Sequence, residues 1–415
     1  MINTILVLNA GSSSVKFQLF GCDKDLPRLA TGSVTGIGSH PIFVAERDET
    51  SEKVTTPLHP KALLRRAKRK IADELHYFVA SRAGVDQKIS MAMPPESLQK
   101  DAVRKIIGWI HSLDAGWKIT AVAHRFVHGG EEFLEPTIIT SEIFHKLKKL
   151  IPLAPLHQPH HLAAVGIVNR FLPMLPQVAC FDTAFHAHRD PKLTNFAIPK
   201  ELTDKGVRRY GFHGLSYDWS AQTLKKDYPD LAAGRVVIAH LGNGSSLCAI
   251  KNGKSVDTTM SLSVLDGLPM GTRCGAIDPG VIFYLVRALG MKLDDVEDMF
   301  YRKSGLKGMS CVSNDVKELL DSSDPQAKYA LDYFALYIAK FIASTAVSIG
   351  GIDGLVFTGG IGEHAKPVRE AILEHLKFLN IPRVLIIPAN EERLMATQAT
   401  ACLASKGEGM RATGS

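Results

Sequence analysis

Between two apolar runs, the segment from Leu6 to Phe20, "LVLNAGSSSVKFQLF", sets Asn9, Gly11, three serines and Lys16. A hairpin turn needs only about two to five residues, and this one carries more donors than a turn requires. Glycine lets backbone N–H groups converge on an anion because no Cβ blocks the approach; serine hydroxyls add donors and a lysine adds a mobile cation. The chemistry on offer is phosphate binding. A second turn echoes the first in "VVIAHLGNGSSLCAI", Val236 to Ile250, with Gly244-Ser245-Ser246 matching Gly11-Ser12-Ser13. One Gly-Ser turn alone is usually an ordinary hairpin. Two of them, about a domain's length apart, point to a polyphosphate held from two sides.

Other charged and titratable side chains stand beside glycines. Arg125 precedes the glycines of "HRFVHGGEEF", His213 lies in "RRYGFHGLSYDW", and Arg273 in "LPMGTRCGAIDPG". An arginine fork suits carboxylate or phosphate, and neighbouring glycines leave room for a ligand. A third glycine cluster, "GLVFTGGIGEHAKP", formally matches GxGxxA at Gly360 to Ala365. No acid-terminated strand follows at the dinucleotide-fold distance, and no GxxxxGK[ST] occurs. Histidines form two further groups, His157, His160 and His161 in one and Asp182, His186 and His188 in the other. The second group leaves a metal-dependent hydrolase open as an alternative, with imidazole and carboxylate ligands.

These residues need a frame. The runs "ILVL", "AVAHRFV", "QVACF", "RVVIAHL" and "GLVFTGG" read as strands alternating with helical patterns, and Lys328 to Ile349 has helical spacing. That alternation predicts an α/β protein. At 415 residues two domains are expected. Composition is that of a globular chain, 45% hydrophobic and 22% charged with a net charge of +7. No apolar run of membrane-spanning length is apparent in the sequence, and the N-terminal stretch, broken at Asn9, does not read as a signal peptide. The basic run "KALLRRAKRK" reads as a solvated helix face, the six scattered cysteines as reduced and mostly buried thiols, and "SKGEGMRATGS" as a frayed tail. The expected partners are small anions, with neither nucleic acid nor membrane.

Taken in order, "LNAGSSSVKF", "HRFVHGG", "PLAPLH", "FDTAFH", "RRYGFHG", "AHLGNGSS", "MGTRCG", "SGLKGMS", "FTGGIGE" and "IPANEE" resemble the acetate kinases, of the acetate/propionate kinase group and the sugar-kinase/actin/heat-shock ATPase superfamily. The resemblance implies two duplicated actin-like, ribonuclease-H-like domains around a central cleft. They would be 1–185 completed by 392–415, and 186–391, in a homodimer, while the reduced cysteines read as those of a cytoplasmic protein. It implies reversible transfer of the ATP γ-phosphoryl group to acetate, with propionate or other short-chain acids as the alternative. Mg²⁺, with Mn²⁺ as a substitute, would sit at Asn9 and Glu391. Nucleotide contacts would be Lys16, the loop His240, Leu241, Gly242, Asn243 and Gly244, then Asp315, Val316 and Lys317, and then Gly360, Ile361, Gly362, Glu363 and His364. Arg125 would hold the carboxylate, with Val127, Leu156 and Phe212 around the acyl methyl. Asp182, His213 and Arg273 would be the catalytic set. The chain departs from the family pattern at Lys317, where arginine is usual, at His364 in place of asparagine, at Gln158, at Val264 in place of proline, and in a shortened segment before Glu391.

Overall fold

The computed structural model describes residues 2–48, 88–113 and 115–412, with side chains to residue 405. The basic run from Lys61 to Lys70 lies outside the described residues. Two compact units result. One comprises Met1–Phe126, Pro136–Cys180 and Glu392–Ser415; the other comprises Val127–Glu135 and Phe181–Glu391.

In the first unit, β1 (Ile2–Ala10), β2 (Ser14–Gly21), β3 (Arg28–Thr35), β4 (Ile42–Arg47) and β5 (Lys88–Ala92) form an antiparallel meander. β6 (Trp117–Phe126) joins the open side of β1 in parallel, followed in the sheet by β8 (Gln177–Phe181) and then β7 (Thr137–Ile138). Alternation decides which side chains enter the core. Leu6, Leu8, Val15, Phe17 and Leu19 pack on Val103, Ile106, Trp109 and Ile110 of the helix Gln99–Ser112. Trp109 meets the Phe17 and Phe43 rings edge-on, at 5.8 and 6.0 Å. Gly32 makes room for that cluster, since a Cβ there would lie 2.6 Å from Phe17 Cε1.

In the second unit, β9 (Arg235–Leu241), β10 (Ser245–Lys251) and β11 (Lys254–Thr258) are antiparallel. β12 (Gly354–Thr358) joins β9 in parallel and β13 (Val384–Ile386) joins β12. The order β11-β10-β9-β12-β13 repeats the β3-β2-β1-β6-β8 stretch of the first sheet. The echoed hairpins are therefore the same structural unit twice, each flanked by a parallel strand. Val237, Ala239 and Leu241 face Phe334, Ile338 and Ile342 of the helix Pro325–Ile349. Val236 and Ile238 face Tyr217 and Leu224 of the helix Gly214–Asp227 on the other side.

Three expectations change. The helix Pro325–Ile349 is long and apolar enough by length and composition to cross a membrane. Its apolar face is taken up by the core of the second unit, where Ala327, Ala330, Phe334, Ile338 and Ile342 are buried. The C-terminal stretch is not a loose tail, because the helix Glu391–Ala412 runs through most of it. Leu394, Met395, Ala396 and Ala399 are buried and anchor its first turns, and extending a formed helix is cheap. Among the described residues no disulfide links any of the six cysteines, but only Cys180 and Cys248 are buried, while Cys22 and Cys311 are exposed.

Candidate active site

Register places the polar residues. Asn9 on β1 stands directly opposite Lys16 on β2, on the sheet face away from Leu8 and Phe17. The turn between them closes with Gly11 N–H donating to Ser14 O at 2.7 Å. Gln99 Nε2 donates to Gly11 O and lies 3.2 Å from His160 Nδ1, so two helices brace the turn from behind. Arg125 sits near the end of β6, half-buried, and Leu156 is half-buried just ahead of the helix Gln158–Phe171. His161 of that helix is held well below the usual imidazole range, mainly by burial and also by neighbouring His157 and the Arg125 cation.

The second unit carries a denser cluster. His240 on β9 pairs with Ser246 on β10, and both fall on the face toward the helix Gly214–Asp227 because they are in phase with Ile238 and Cys248. His213 precedes that helix in a left-handed conformation, φ 56°, which is uncommon outside glycine and marks functional sites. Its Nδ1 lies 2.8 Å from Ser246 Oγ, and Ser246 Oγ lies 2.5 Å from Tyr217 Oη. His240 Nδ1 lies 2.8 Å from Ser216 Oγ. Gly214 N–H donates to the carbonyl of buried Asp182 at 2.8 Å. A Cβ on Gly214 would come within 2.2 Å of that oxygen, so only glycine lets the helix start there.

Arg273 completes the cluster. A Cβ built on Gly244 would sit 3.4 Å from His213 Nε2 and 3.6 Å from Arg273 Nη1, so an imidazole and a guanidinium converge on the glycine of the turn. Arg273 Nη1 donates to Val264 O at 2.9 Å. Among the described residues no carboxylate forms an ion pair with it, and burial lowers its pKa from the ordinary guanidinium value. A partly desolvated cation with no anion beside it is costly. An incoming phosphate would supply the missing charge.

The turn is braced as well. Gly242 N–H donates to Gly244 O at 3.1 Å, Gly271 N–H donates to Asn243 O at 3.1 Å, and Asn314 Nδ2 donates to Asn243 Oδ1 at 3.2 Å. Asp315 Oδ1 caps the helix Val316–Asp321 by accepting from Lys317 N–H at 2.7 Å. Lys317 is exposed, whereas Val316 is buried and offers no side chain to a ligand. Gly360, Ile361, Gly362, Glu363 and His364 form a short helix after β12, and Glu363 Oε1 accepts from Ala389 N–H at 2.9 Å, just ahead of Glu391. Leu241 is buried in the core. Val127 and Phe212 are buried too, with the His128 ring edge-on to Phe212 at 5.5 Å.

The hydrolase alternative fails here. His186 has both ring nitrogens engaged, Nδ1 2.8 Å from Ser255 Oγ and Nε2 2.9 Å from Phe212 O. Burial pushes its pKa down to about 3, and His188 is exposed. Among the described residues no group of three His, Cys, Asp or Glu side chains gathers as a metal set.

Residues 82–404 match the model of the acetokinase family. The chain belongs to that family. It is 41% identical over 395 residues to an acetate kinase of Rhodopseudomonas palustris, covering 92% of this chain and 88% of the relative. With an acetate kinase of Methylocella silvestris identity is 37%, covering 97% and 98% of the two chains. Among solved structures, a propionate kinase from Francisella tularensis superposes with a TM-score of 0.81 at 32% identity, covering 96% of this chain and 99% of that one. The acetate kinase of Porphyromonas gingivalis gives 0.79 at 31%, covering 97% and 100%. The fold is thus the actin-like α/β class that the ordered motifs implied. Family motifs did not mark Ser216, Tyr217, Asn314 or Gln99. Ser216 and Tyr217 follow His213 by three and four residues, which is one helical turn, and that spacing was the available signal.

Proposed function

We propose that this chain is an ATP:acetate phosphotransferase, which moves the γ-phosphoryl group of ATP reversibly to acetate and yields acetyl phosphate and ADP. The observation that carries this reading is the convergence of His213 Nε2 and Arg273 Nη1 on Gly244, at 3.4 and 3.6 Å from its Cβ position, in a member of the acetokinase family.

Acetate, like other simple carboxylates with a pKa near ~4, is ionised at neutral pH, so it needs no general base. A carboxylate oxygen attacks the γ-phosphorus, the bond from phosphorus to the β,γ-bridging oxygen breaks, and ADP leaves with that electron pair. The difficulty is bringing two anions together, so positioning and charge stabilisation dominate. Arg125 is assigned to the acetate carboxylate, and Val127, Leu156 and Phe212 are the apolar side chains assigned to its methyl group. Lys16, the loop His240–Gly244, Asp315–Lys317 and Gly360–His364 hold the nucleotide. Arg273 and His213 stabilise the equatorial oxygens of the transferring group. Asp182, buried against the start of the His213 helix, organises these groups and takes no proton.

Asn9 and Glu391 both offer oxygen donors. Oxygen donors of this kind suit Mg²⁺, which binds through one or two protein oxygens plus substrate phosphates and retains waters. Held there, Mg²⁺ or Mn²⁺ would neutralise charge on the β- and γ-phosphates.

ADP release measured with formate, acetate, propionate and butyrate, with and without Mg²⁺, tests the proposal. Acetate-dependent turnover supports it, and no carboxylate-dependent turnover overturns it. The likeness to a propionate kinase structure favours propionate as the second substrate to be compared.

We further propose a homodimer. The helix Pro279–Arg287 buries none of its residues, although Phe283 and Tyr284 are 55% and 61% exposed. Leu289 and Leu293 extend the apolar face at 58% and 64%. A second copy of the chain would cover this face.

A further inference from the structure

The hydrogen-bond chain behind His213 has a direction. Tyr217 is fully buried, and among the described residues the hydrogen-bond partner of its hydroxyl is Ser246 Oγ, 2.5 Å away. A buried hydroxyl proton left without an acceptor is strongly disfavoured, so Tyr217 O–H donates to Ser246 Oγ. Ser246 is itself fully buried. Its own proton needs an acceptor other than the phenol that already donates to it, and His213 Nδ1 stands 2.8 Å away. Ser246 therefore donates to Nδ1. That nitrogen must carry its lone pair, and the ring hydrogen of neutral His213 then sits on Nε2. The opposite direction, Nδ1–H to Ser246 and Ser246 to Tyr217, would strand the phenol proton inside the protein.

We propose that Tyr217 and Ser246 are positioning residues that fix His213 as the neutral Nε2–H tautomer, so that it meets the transferring phosphoryl group as a hydrogen-bond donor and neither as an acid nor as a base. The catalytic half of this inference rests on the phosphotransferase reading above; the tautomer does not. Nε2 faces the position where Gly244 lacks a Cβ, beside Arg273 Nη1, which is where a donor is wanted and an acceptor would repel. His240 provides a contrast within the same stack. Its Nδ1 meets Ser216 Oγ at 2.8 Å, and among the described residues no buried phenol bonds to that serine. His213 is singled out by the phenol behind its serine.

The experiment uses the full chain labelled with ¹⁵N at histidine, with two-bond ¹H–¹⁵N spectra at neutral pH and His213 assigned from the His213→Asn variant. The expected wild-type pattern is a protonated Nε2 and a bare Nδ1. Tyr217→Phe removes the proton that directs the chain, and the His213 signal is expected to shift toward mixed tautomers. In the same variant kcat should fall about tenfold or more, short of the loss on fixing a wholly wrong tautomer, while KM for ATP and for acetate stays nearly constant. Ser246→Ala, a smaller change, should give the same spectral shift if the phenylalanine variant fails to fold. A wild-type His213 protonated at Nδ1, or a Tyr217→Phe spectrum identical to wild type, overturns the proposal. An unchanged kcat in His213→Asn overturns the transfer role of His213 and leaves the tautomer standing, so the two failures read separately.

Discussion

The rings of His213 and His240 stack with centroids 4.3 Å apart and planes 30° from parallel. One ring comes from a helix start and the other from the end of a strand, so the stack ties the glycine turn after β9 to the helix start whose Gly214 N–H donates to Asp182 O. Each ring is also anchored at Nδ1 by a serine 2.8 Å away. The donors around Gly244 are therefore set before any ligand arrives, which is what transition-state stabilisation by fixed dipoles requires.

Arg273 is the most direct test of that arrangement. Arg273→Ala should lower kcat by about 10²-fold or more, the scale of losing one transition-state donor, with little change in KM for ATP. Arg273→Lys should recover only part, because lysine keeps the charge and loses the fork. Steady-state kinetics of the two variants decide it, and an unchanged kcat removes Arg273 from the transfer step.

Arg125 should behave differently. If it pairs with the carboxylate of the acceptor, Arg125→Ala raises KM for acetate far more than KM for ATP. A loss confined to ATP affinity would put this side chain on the nucleotide. Varying each substrate at saturation of the other separates the two.

Much of this was legible in the sequence. The alternation in "RVVIAHL" and "SSLCAI" gives the strands, and once those strands pair across a tight turn, period-two geometry puts His240 and Ser246 on one face. The echo between the two Gly-Ser-Ser turns gives the duplicated sheet order. What stayed hidden depends on tertiary placement. Val316 lies inside a nucleotide motif yet is buried in the core. His186 looks like a metal ligand beside Asp182 until Ser255, 69 residues on, and the Phe212 carbonyl occupy its ring. Composition alone makes the helix Pro325–Ile349 look long and apolar enough for a membrane, and only its packing on β9 shows that the apolar face belongs to a core.

Gly271 tests the bracing of the His240–Gly244 turn. A Cβ there would lie 2.0 Å from Asn243 Oδ1, so Gly271→Ala must push the Asn243 side chain aside and break its contact with Asn314. The expected result is a stability loss of about 1–3 kcal/mol, as for other overpacked sites, with a raised KM for ATP. Chemical denaturation and nucleotide titration measure the two effects, and a variant with wild-type ATP affinity would show that Asn243 is not needed to shape the turn.

The exposed apolar face predicts an oligomer. Phe283 and Leu293 are 55% and 64% exposed, and Phe283→Glu combined with Leu293→Glu should give a monomer while leaving the fold intact. Light scattering reports the mass and circular dichroism the fold. A wild-type chain already monomeric at micromolar concentration would refute the homodimer.

Acid should weaken the protein before its carboxylates titrate. Burial pushes His124 and His128 down to about 4 and His186 to about 3, whereas an unfolded histidine titrates near ~6.5. Between those values the unfolded chain binds protons that the folded chain refuses, so the unfolding free energy falls as pH drops below about 6.5. Stability is fully present above that pH, and each buried histidine removes up to about 1.4 kcal/mol per pH unit through the window. Denaturant midpoints measured from pH 7.5 down to 5 should decline steadily. His186→Asn should be less stable at pH 7.5, because it gives up the contacts to Ser255 and Phe212, yet its decline should be shallower by about one proton. A slope unchanged by that substitution would mean that His186 does not stay neutral in the folded protein.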